Sequence, residues 1–492
     1  MDDFFLDIKT ADEDRITYKY LSGGEWLESS SGELIDIKSP IDESLVGRIQ
    51  AMTTKEIDIM LTAAAVAQET WRKSSLKQRE KILKKAACLL EEKKEIFINL
   101  LVREIGKTLA EAKGEVERTV DVINYTAEQK DWGKVREIKG EDFPRGPKNK
   151  VCKVFREPLG VVLAIVPFNY PLNLAATKIA PALLCGNAVV VKGPTQGSIT
   201  TLHLVEIFKQ AGVWDGAISL VSGRGSEIGD FMTTHELIDM IAFTGSSKVG
   251  KDLAVKAGLV PLLLELGGKD AAIVFADADL ELAAEEVVKG AFSFAGQRCT
   301  AIKKVLVSDD VADEFIEILV AKTKELFGIL GDPRDPKIQL GPVISDVQAE
   351  YLESLIRDAQ DKGAVEVLGG RRKGKYIPAT ILDNVNGEMR IAWEEQFGPI
   401  LPITRFSDPE EAIGIVNASE YGLEASIFTQ DEDLAKGVAR SLEVGVVQIN
   451  ARPQRWPDHF PFLGVKDSGV GVQGVSYSIE AMTRIKGVVE NR

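Results

Sequence analysis

Apolar residues between about Thr54 and Tyr125 recur at three- and four-residue spacings, as they do on one face of an amphipathic helix. The segments EIDIMLTAAAVAQETWRK and QREKILKKAACLLEEKKEIFINLLVREIG both show this period. Residues 133–150 are polar and contain glycine and proline, and strand-like alternation resumes in VCKVFREPLG. The pattern predicts a helical N-terminal portion followed by an insert that projects from the body as a hairpin.

Beyond Pro158, short apolar runs alternate with helical segments such as SITTLHLVEIFKQAG. The runs are GVVLAIVP, NAVVVKGP, ISLVSG, MIAFTG and AAIVFAD, and each ends in glycine, proline or aspartate. This alternation predicts βαβ units and a parallel sheet that is covered on both faces. A second α/β series follows Cys299, with KKVLVSDD, a helix from Val311 to Phe327, and KYIPATILDNV. The coarse prediction is therefore two α/β domains with a helical N-terminal portion.

Three of the predicted strands end in segments that suit a binding site. PFNYP follows GVVLAIV, KGPTQG follows NAVVV, and FTGSSKVG follows IDMIA. Because ligands of open parallel sheets bind beyond the carboxyl ends of the strands, these segments predict one shared crevice.

Composition narrows the possible functions. A chain of 492 residues with a net charge of −15 predicts two or three packed units and disfavours a nucleic acid or an anionic membrane as partner. The sequence contains no apolar run of membrane-spanning length and opens on an acidic stretch unlike a signal peptide. Its four cysteines form no C-x-x-C pair, so we expect a reducing cytoplasm. With three histidines, a His-rich metal site and a Ser-His-Asp triad are both disfavoured, and we expect no metal.

Cys299, in GQRCTA, is the candidate nucleophile. Free cysteines are most often buried and inert, but the neighbours of Cys299 are poor material for a core. An ordinary thiol is mostly protonated at neutral pH, and we expect Arg298 or a positive helix end to raise the thiolate fraction.

Glu265, in LELGGKDA, interrupts an apolar run just before two glycines. One interpretation is a salt-bridged or outward-facing acid. The other is a general base whose pKa is raised by its apolar surroundings, and the glycine pair favours it because it permits close approach of a ligand.

Asn169, in PFNYP, places an amide at a strand end. Such an amide holds the oxyanion of a tetrahedral adduct, although asparagine between prolines is also typical of a turn. In FTGSSKVG, Gly245 and Gly250 suit a pyrophosphate at a helix N-terminus, whereas the glycines of SGRGSEIG miss the usual dinucleotide spacing.

Taken together, these motifs resemble the aldehyde dehydrogenase superfamily. PFNYP, KxPT, FTGSxxxG, ELGGKD, GQxC and EExFGP occur in the family's order, with Glu265 and Cys299 34 residues apart. The resemblance covers nearly the whole chain and implies a homotetramer built on an α/β fold. Its parts would be a Rossmann-like cofactor domain (1–133 and 156–263), an α/β catalytic domain (264–450) and a small β oligomerisation arm (134–155 and 451–492).

The resemblance also implies catalytic roles. Cys299 would form a thiohemiacetal whose oxyanion meets the Asn169 amide and the Cys299 backbone N–H. Glu265 would activate the water that hydrolyses the resulting thioester. Lys178 would lie near the proton path.

The cofactor implied by the resemblance is NADP, with NAD as a possible alternative. Many NAD-preferring relatives have glutamate where this chain has Thr195, and a neutral hydroxyl beside Lys192 accommodates a 2′-phosphate. Gly193 departs from the proline usual in the family. The implied cofactor-binding residues are Pro167, Phe168, Lys192, Thr195, Gly225, Gly229, Phe243, Thr244, Gly245, Ser246, Leu266, Gly267, Glu395 and Phe397.

Within the superfamily, GQRCTA, SGRGSEIGD, PQRxxDxFPFLG and GVxYSIEAMT resemble the subgroup that oxidises glyceraldehyde 3-phosphate without phosphorylating it. This implies an NADP-dependent oxidation to 3-phosphoglycerate that ends in hydrolysis. Substrate contacts would come from Arg118, Tyr170, Arg298 and Arg455, while Trp456 departs from the subgroup's usual glycine.

Other functions remain open at this point. The enzyme alternative is a dehydrogenase of another small aldehyde, such as succinate semialdehyde or lactaldehyde. Acyl transfer to coenzyme A is disfavoured because it does not require Glu265. The alternative of a different class is a non-catalytic structural protein on the same fold.

Overall fold

The N-terminal helical pattern forms four helices in the computed structural model, which describes residues 3–12 and 15–492. Capping boxes begin the first and the fourth, with Thr53 paired to Glu56 and Thr108 to Glu111, and a left-handed Gly106 ends the third. The helices of the described chain are α1 Thr54–Trp71, α2 Leu76–Glu92, α3 Lys94–Ile105, α4 Leu109–Ala127, α5 Asn173–Cys185, α6 Ser198–Ala211, α7 Gly225–Thr233, α8 Ser247–Lys256, α9 Leu280–Phe292, α10 Ala312–Phe327, α11 Asp346–Asp361, α12 Pro409–Asn417, α13 Glu432–Ser441 and α14 Val475–Ala481.

The strands include every run that the apolar pattern identifies. They are β1 Lys9–Asp12, β2 Arg15–Tyr18, β3 Tyr20–Ser22, β4 Glu25–Leu27, β5 Leu34–Lys38, β6 Leu45–Gln50, β7 Arg136–Lys139, β8 Lys150–Pro158, β9 Val161–Ile165, β10 Ala188–Lys192, β11 Ile218–Val221, β12 Met240–Thr244, β13 Leu262–Glu265, β14 Ala271–Val274, β15 Lys304–Ser308, β16 Val365–Leu368, β17 Thr380–Asp383, β18 Ile400–Phe406, β19 Tyr421–Gly422, β20 Glu424–Phe428, β21 Val446–Ile449, β22 Val465–Lys466, β23 Gly469–Val470 and β24 Thr483–Asn491.

The first large sheet has the order β23-β13-β12-β9-β10-β11-β3-β4, and its five central strands are parallel. Its strands read as continuous apolar runs because both faces are covered. In β10, Val189 and Val191 belong to the core formed with α5, whereas Ala188 and Val190 belong to the core formed with α1. The predicted doubly covered parallel sheet is therefore present.

The second large sheet contains the α/β series that surrounds Cys299 in the sequence. Its order is β16-β17-β18-β15-β14-β20-β21, and all neighbours are parallel except β16 and β17. Helices α9, α10 and α11 contribute to its larger core. The molecule thus contains two large, mostly parallel sheets packed against helices, in agreement with the predicted α/β fold class.

A three-stranded antiparallel sheet contains the predicted hairpin, with β7 and β24 on either side of β8. The topology divides the C-terminal segment differently from the expected arm of 451–492. Strand β23 pairs with β13, and α14 packs on α5, so within this segment the small sheet receives only β24. The central strand of that sheet also extends past residue 155, because β8 continues to Pro158.

The short strands before α1 were not predicted. β1, β2, β6 and β5 form a separate four-stranded sheet, and β3 and β4 extend the first large sheet. Strand β5, LIDIK, alternates exposed and buried positions over five residues, which is too short a stretch for a period to stand out in the sequence. Across the described chain, none of the helices combines the length and the apolar character needed to cross a membrane.

Candidate active site

The carboxyl ends of β9, β10 and β12 open into one cleft of about 1090 Å³, which is the crevice that the strand-end motifs predict. All fourteen residues for which the resemblance implies cofactor contacts lie on its walls. Asn169 and Cys299 also line it. Candidate binding and chemical residues therefore share one continuous space.

Three predicted catalytic residues converge on a single loop. Glu265 is the last residue of β13, and its Oε1 accepts the Cys299 thiol at 3.4 Å. Cys299 follows a tight turn in which Phe294 has a positive φ of 51°. The Asn169 Nδ2 donates to the backbone oxygen of Gln297 at 3.0 Å, which joins the amide to the nucleophile loop.

The other carboxylate oxygen of Glu265 faces a guanidinium. Arg455 Nη1 lies 2.5 Å from Glu265 Oε2, and the side chains are 7% and 2% exposed. Arg455 Nη2 donates to Gln473 Oε1 at 2.7 Å, and the guanidinium lies 5.1 Å from the centre of the Phe462 ring. Arg455, expected to contact substrate, therefore also contacts the candidate base.

A short hydrogen-bonded chain connects Glu265 to Lys178 on α5. Lys178 Nζ donates to Thr244 Oγ1 at 2.6 Å, and Thr244 Oγ1 donates to Glu265 Oε2 at 3.3 Å. Burial lowers the pKa of Lys178 to about 8, because the charged ammonium is separated from water. This lysine can therefore change its charge within the working range of most enzymes.

The expected rise in the pKa of Glu265 is wrong for this arrangement. Burial does favour the protonated acid, but Arg455 and Lys178 together outweigh it, so the pKa of Glu265 lies below its ordinary value. The apolar run around Glu265 correctly indicates burial. The local sequence cannot show that cations from distant segments of the chain lie beside Glu265.

The expected influence of Arg298 on the thiol also needs correction. Arg298 does not line the cleft, and its Nη2 donates to the backbone oxygen of Gly290 at 2.5 Å, in the last turn of α9. Burial and Glu265 hold the pKa of Cys299 well above its ordinary value, and Lys303 and Arg455 act in the opposite direction. Lys303 and Arg455 are thus the cations that chiefly lower the pKa of the thiol.

The far part of the cleft fits a phosphorylated nucleotide. Lys192 is buried, its Nζ donates to the backbone oxygen of Gly193 at 2.5 Å, and burial lowers its pKa to about 8. No carboxylate in the described chain forms an ion pair with Lys192, and Thr195 beside it is neutral. An anionic group would therefore stabilise this ammonium.

Toward the thiol, the cleft wall is shaped by a glycine and a carboxylate. A Cβ on Gly267 would lie 2.4 Å from Glu395 Oε2, so a side chain here would displace Glu395. The backbone N–H of Gly268 donates to Glu395 Oε1 at 3.0 Å and holds the carboxylate at the cleft. This wall suits the ribose hydroxyls of a nucleotide, since a carboxylate accepts hydrogen bonds from them.

The expected substrate arginines are arranged around an acid that the sequence reading missed. Arg118 donates to Asp458 through Nε at 2.6 Å and Nη2 at 2.7 Å, and Arg455 Nε lies 3.6 Å from the same carboxylate. The ring centre of Tyr170 lies 3.5 Å from Lys107 Nζ. None of the four expected substrate residues lines the 1090 Å³ cleft. Arg118, Tyr170 and Arg455 are grouped around Asp458 and the Asn169 loop and remain candidates for substrate contacts, whereas Arg298 donates to α9.

Glu111 and Glu115 were also missed, although their spacing to Arg118 places all three on one face of α4. Glu111 accepts the backbone N–H of Phe294 at 2.5 Å, and Glu115 accepts those of Leu172 and Asn173. One helix therefore contacts both catalytic loops. Within the described residues, no group of three or more His, Cys, Asp or Glu side chains is arranged to hold a metal ion.

Two mostly parallel sheets, together with a cleft that can hold a nucleotide and is lined by a thiol in contact with a carboxylate, define an α/β oxidoreductase. The model of the aldehyde dehydrogenase family matches residues 26–488, and the chain belongs to that family.

Individual relatives are similar to this chain over nearly its whole length. The chain is 48% identical to the NADP-dependent glyceraldehyde-3-phosphate dehydrogenase of Streptococcus equinus, over 96% of this chain and 98% of that protein. It is 46% identical to the enzyme of the same name from Triticum aestivum, over 96% and 95% of the two chains. Among solved structures, the Bacillus halodurans NADP-dependent glyceraldehyde-3-phosphate dehydrogenase complexed with NADP has a TM-score of 0.94 at 47% identity, and the match covers 96% of this chain and 99% of that one.

Proposed function

We propose that the protein oxidises glyceraldehyde 3-phosphate to 3-phosphoglycerate with NADP as the electron acceptor. The observation that carries the proposal is the 3.4 Å contact between the Cys299 thiol and Glu265, where Cys299 lines a cleft that suits NADP. The names of the relatives described above support the substrate and the cofactor.

The chemistry begins at the thiol. Glu265 accepts the proton of Cys299, and the sulfur adds to the aldehyde carbon to give a thiohemiacetal. That proton passes to solvent before hydrolysis, so Glu265 is ionised again when it takes a proton from water. The Asn169 amide has two N–H donors, of which one is bonded to Gln297, so the second is available to the developing oxyanion. When bound, NADP supplies the acceptor for the hydride that leaves the thiohemiacetal carbon.

The thioester that results is then hydrolysed. Glu265 accepts a proton from water, the hydroxide adds to the thioester carbon, and the carbon–sulfur bond breaks to release the acid and regenerate the thiol. The proton held by Glu265 then passes to the departing sulfur of Cys299. Lys178 donates to Thr244 and Thr244 donates to Glu265, so this hydrogen-bonded chain stabilises the carboxylate form of Glu265 that takes the proton from water. The low pKa of Glu265 keeps it ionised and able to act as a base.

Two separate groups of residues would recognise the two phosphorylated ligands. Arg118 and Arg455 would bind the substrate phosphate, with Tyr170 beside them, and Lys192 with Thr195 would accept the 2′-phosphate of NADP. The remaining cofactor contacts would come from the cleft residues named above. The division into a cofactor domain, a catalytic domain and a β arm is part of the same proposal.

The proposal also includes the assembly of the protein and its location in the cell. The small sheet of β7, β8 and β24 has exposed apolar side chains, including Ile138, Ile485 and Val488, which suit contact with other subunits of a homotetramer. All four cysteines are free, which is in keeping with a reducing cytoplasm.

A panel of aldehydes tests the function. Initial rates are measured for glyceraldehyde 3-phosphate, glyceraldehyde, succinate semialdehyde and lactaldehyde, each with NADP and with NAD, and each with and without inorganic phosphate. We expect the highest kcat/KM for glyceraldehyde 3-phosphate with NADP, formation of the free acid, and no requirement for inorganic phosphate. A higher kcat/KM for either unphosphorylated rival would overturn the substrate, and inactivity on the whole panel would favour a non-catalytic protein.

A further inference from the structure

We propose that Arg455 couples substrate recognition to catalysis: it pairs with the general base Glu265, and the phosphate group of the bound aldehyde draws it away and releases that base. The inference rests on the proposed function and adds a property to it. Phosphate would then raise the rate of hydrolysis in addition to strengthening binding.

The ion pair gives Arg455 two competing roles. Its Nη1 is engaged by Glu265 and its Nη2 by Gln473, while its Nε is buried without a hydrogen-bond partner. Asp458, the carboxylate nearest to that Nε, is held by two hydrogen bonds from Arg118. The guanidinium thus retains one unsatisfied donor for an incoming anion, which offsets part of the cost of giving up the bond from Nη1 to Glu265.

A phosphate dianion is a strong competitor for this guanidinium. It carries more charge than a carboxylate, and it accepts two parallel N–H bonds from an arginine. Arg118 adds a second cation, and Asp458 lies within ion-pair distance of both arginines. Binding of the substrate phosphate therefore favours movement of Arg455 from Glu265 toward the substrate.

Release of Arg455 changes the base. The titratable groups that face Glu265 are Arg455, Lys178 from α5 and Cys299 from the loop after α9. Arg455 makes the largest electrostatic contribution that lowers the pKa of Glu265, so neutralising it with a dianion raises that pKa. A carboxylate of higher pKa is the stronger base toward water, and its Oε2 becomes free to contact that water.

An experiment with phosphite dianion and unphosphorylated glyceraldehyde separates the binding of the substrate from the release of Glu265 by Arg455. Glyceraldehyde supplies the reacting carbon, and phosphite occupies the phosphate position without being joined to it. At saturating glyceraldehyde and NADP, we expect phosphite to raise kcat by about fivefold or more, which is a common size for coupling between two sites. The acid limb of the kcat–pH profile should move to higher pH at the same time.

Arg455→Ala tests the residue itself, and Arg452→Gln is the matched control. Arg452 lies on the same segment and pairs with Glu286 outside the site. In Arg455→Ala we expect the acid limb with glyceraldehyde already at the higher pH and no further response to phosphite. Arg452→Gln should behave as the wild type.

The results separate this proposal from the function it rests on. A wild-type enzyme in which phosphite changes only KM, or an Arg455→Ala enzyme whose acid limb stays in place, overturns the release of the base. The phosphite measurement on the wild type does not depend on whether the Arg455→Ala variant folds. Failure of the proposed substrate appears instead in the aldehyde panel, where glyceraldehyde 3-phosphate would be a poor substrate whatever phosphite does to glyceraldehyde.

Discussion

Lys107 and Glu115 form an ion pair from which solvent is fully excluded, directly behind the loop that carries Asn169. Both side chains are 0% exposed. Glu115 Oε1 accepts the backbone N–H groups of Leu172 and Asn173, at 3.1 and 3.0 Å. The Lys107 ammonium, in turn, lies against the Tyr170 ring, so the pair fixes the Asn169 loop to α4.

Glu115→Gln should strongly destabilise the fold. The substitution leaves the Lys107 ammonium buried without a carboxylate, and breaking a buried pair on one side costs about 3–5 kcal/mol. The free energy of unfolding, measured by chemical denaturation, checks this. Lys113→Gln on the same helix is the control, because its pair with Glu117 is exposed and should contribute little. Equal stabilities of the two variants would contradict the role of the buried pair.

Glu265→Gln should separate the two halves of the reaction. The amide keeps the size of the side chain but cannot take a proton from the thiol or from water. Thioester formation should therefore be slower than in the wild type, and its hydrolysis slower still, so the thioester accumulates. We expect a burst of NADPH of about one equivalent per active site, followed by a steady rate reduced by about 100-fold or more. Stopped-flow absorbance of NADPH measures both phases.

Cys299→Ser is the companion variant, because a serine hydroxyl is far less ionised than a thiol. It should show neither burst nor turnover. A Glu265→Gln enzyme with an undiminished steady rate would remove Glu265 as the hydrolytic base, and an active Cys299→Ser enzyme would remove the nucleophile.

The sequence is sufficient to predict where the site lies. The strand-end segments at Asn169, Lys192 and Thr244 meet in one cleft because the carboxyl ends of parallel strands share an edge of the sheet. Glu265 lies at the end of a further strand of that sheet, and Cys299 contacts it from the loop between α9 and β15. The order of the motifs and the pattern of apolar residues therefore predict the location of the site.

The electrostatics of the site could not be predicted in the same way. The partner of Glu265 is Arg455, which is 190 residues away, so only the tertiary fold determines the direction in which its pKa moves. Arg298 looked like a neighbour of the thiol because it precedes Cys299, yet the local chain turns it to Gly290. Adjacency in sequence fails here because consecutive side chains in a tight turn point in different directions.

Thr195→Glu should change the cofactor preference. A carboxylate at this position would pair with Lys192 and repel a 2′-phosphate, while it could accept the 2′-hydroxyl of NAD. We expect kcat/KM for NADP to fall by about tenfold or more, equivalent to about 1.4 kcal/mol, with kcat/KM for NAD unchanged or raised. Thr195→Gln has the same length without the charge and serves as the control. An equal loss in both variants would indicate steric disruption instead of charge.

Lys178→Met should change the pH dependence of kcat in two ways. Below about pH 8 the Lys178 ammonium helps to hold the pKa of Glu265 down, and as the pH rises through about 8 that charge is lost. Without the ammonium, the pKa of Glu265 rises, so the acid limb of the kcat–pH profile should move to higher pH. The inflection near pH 8 should also disappear.

Lys178→Arg is the matched control for this prediction, since arginine stays charged throughout the range. It should keep the acid limb in place and lose only the inflection near pH 8.

Folding stability gives an independent check of the Lys178 prediction. The pKa of Lys178 in the folded protein, about 8, lies below its ordinary value of 10.5, so between these values the unfolded chain binds a proton that the folded protein does not. This group therefore makes stability rise with pH across that window, and the rise should be smaller in Lys178→Met. An acid limb that is the same in Lys178→Met and the wild type would show that the charge of Lys178 does not reach the base.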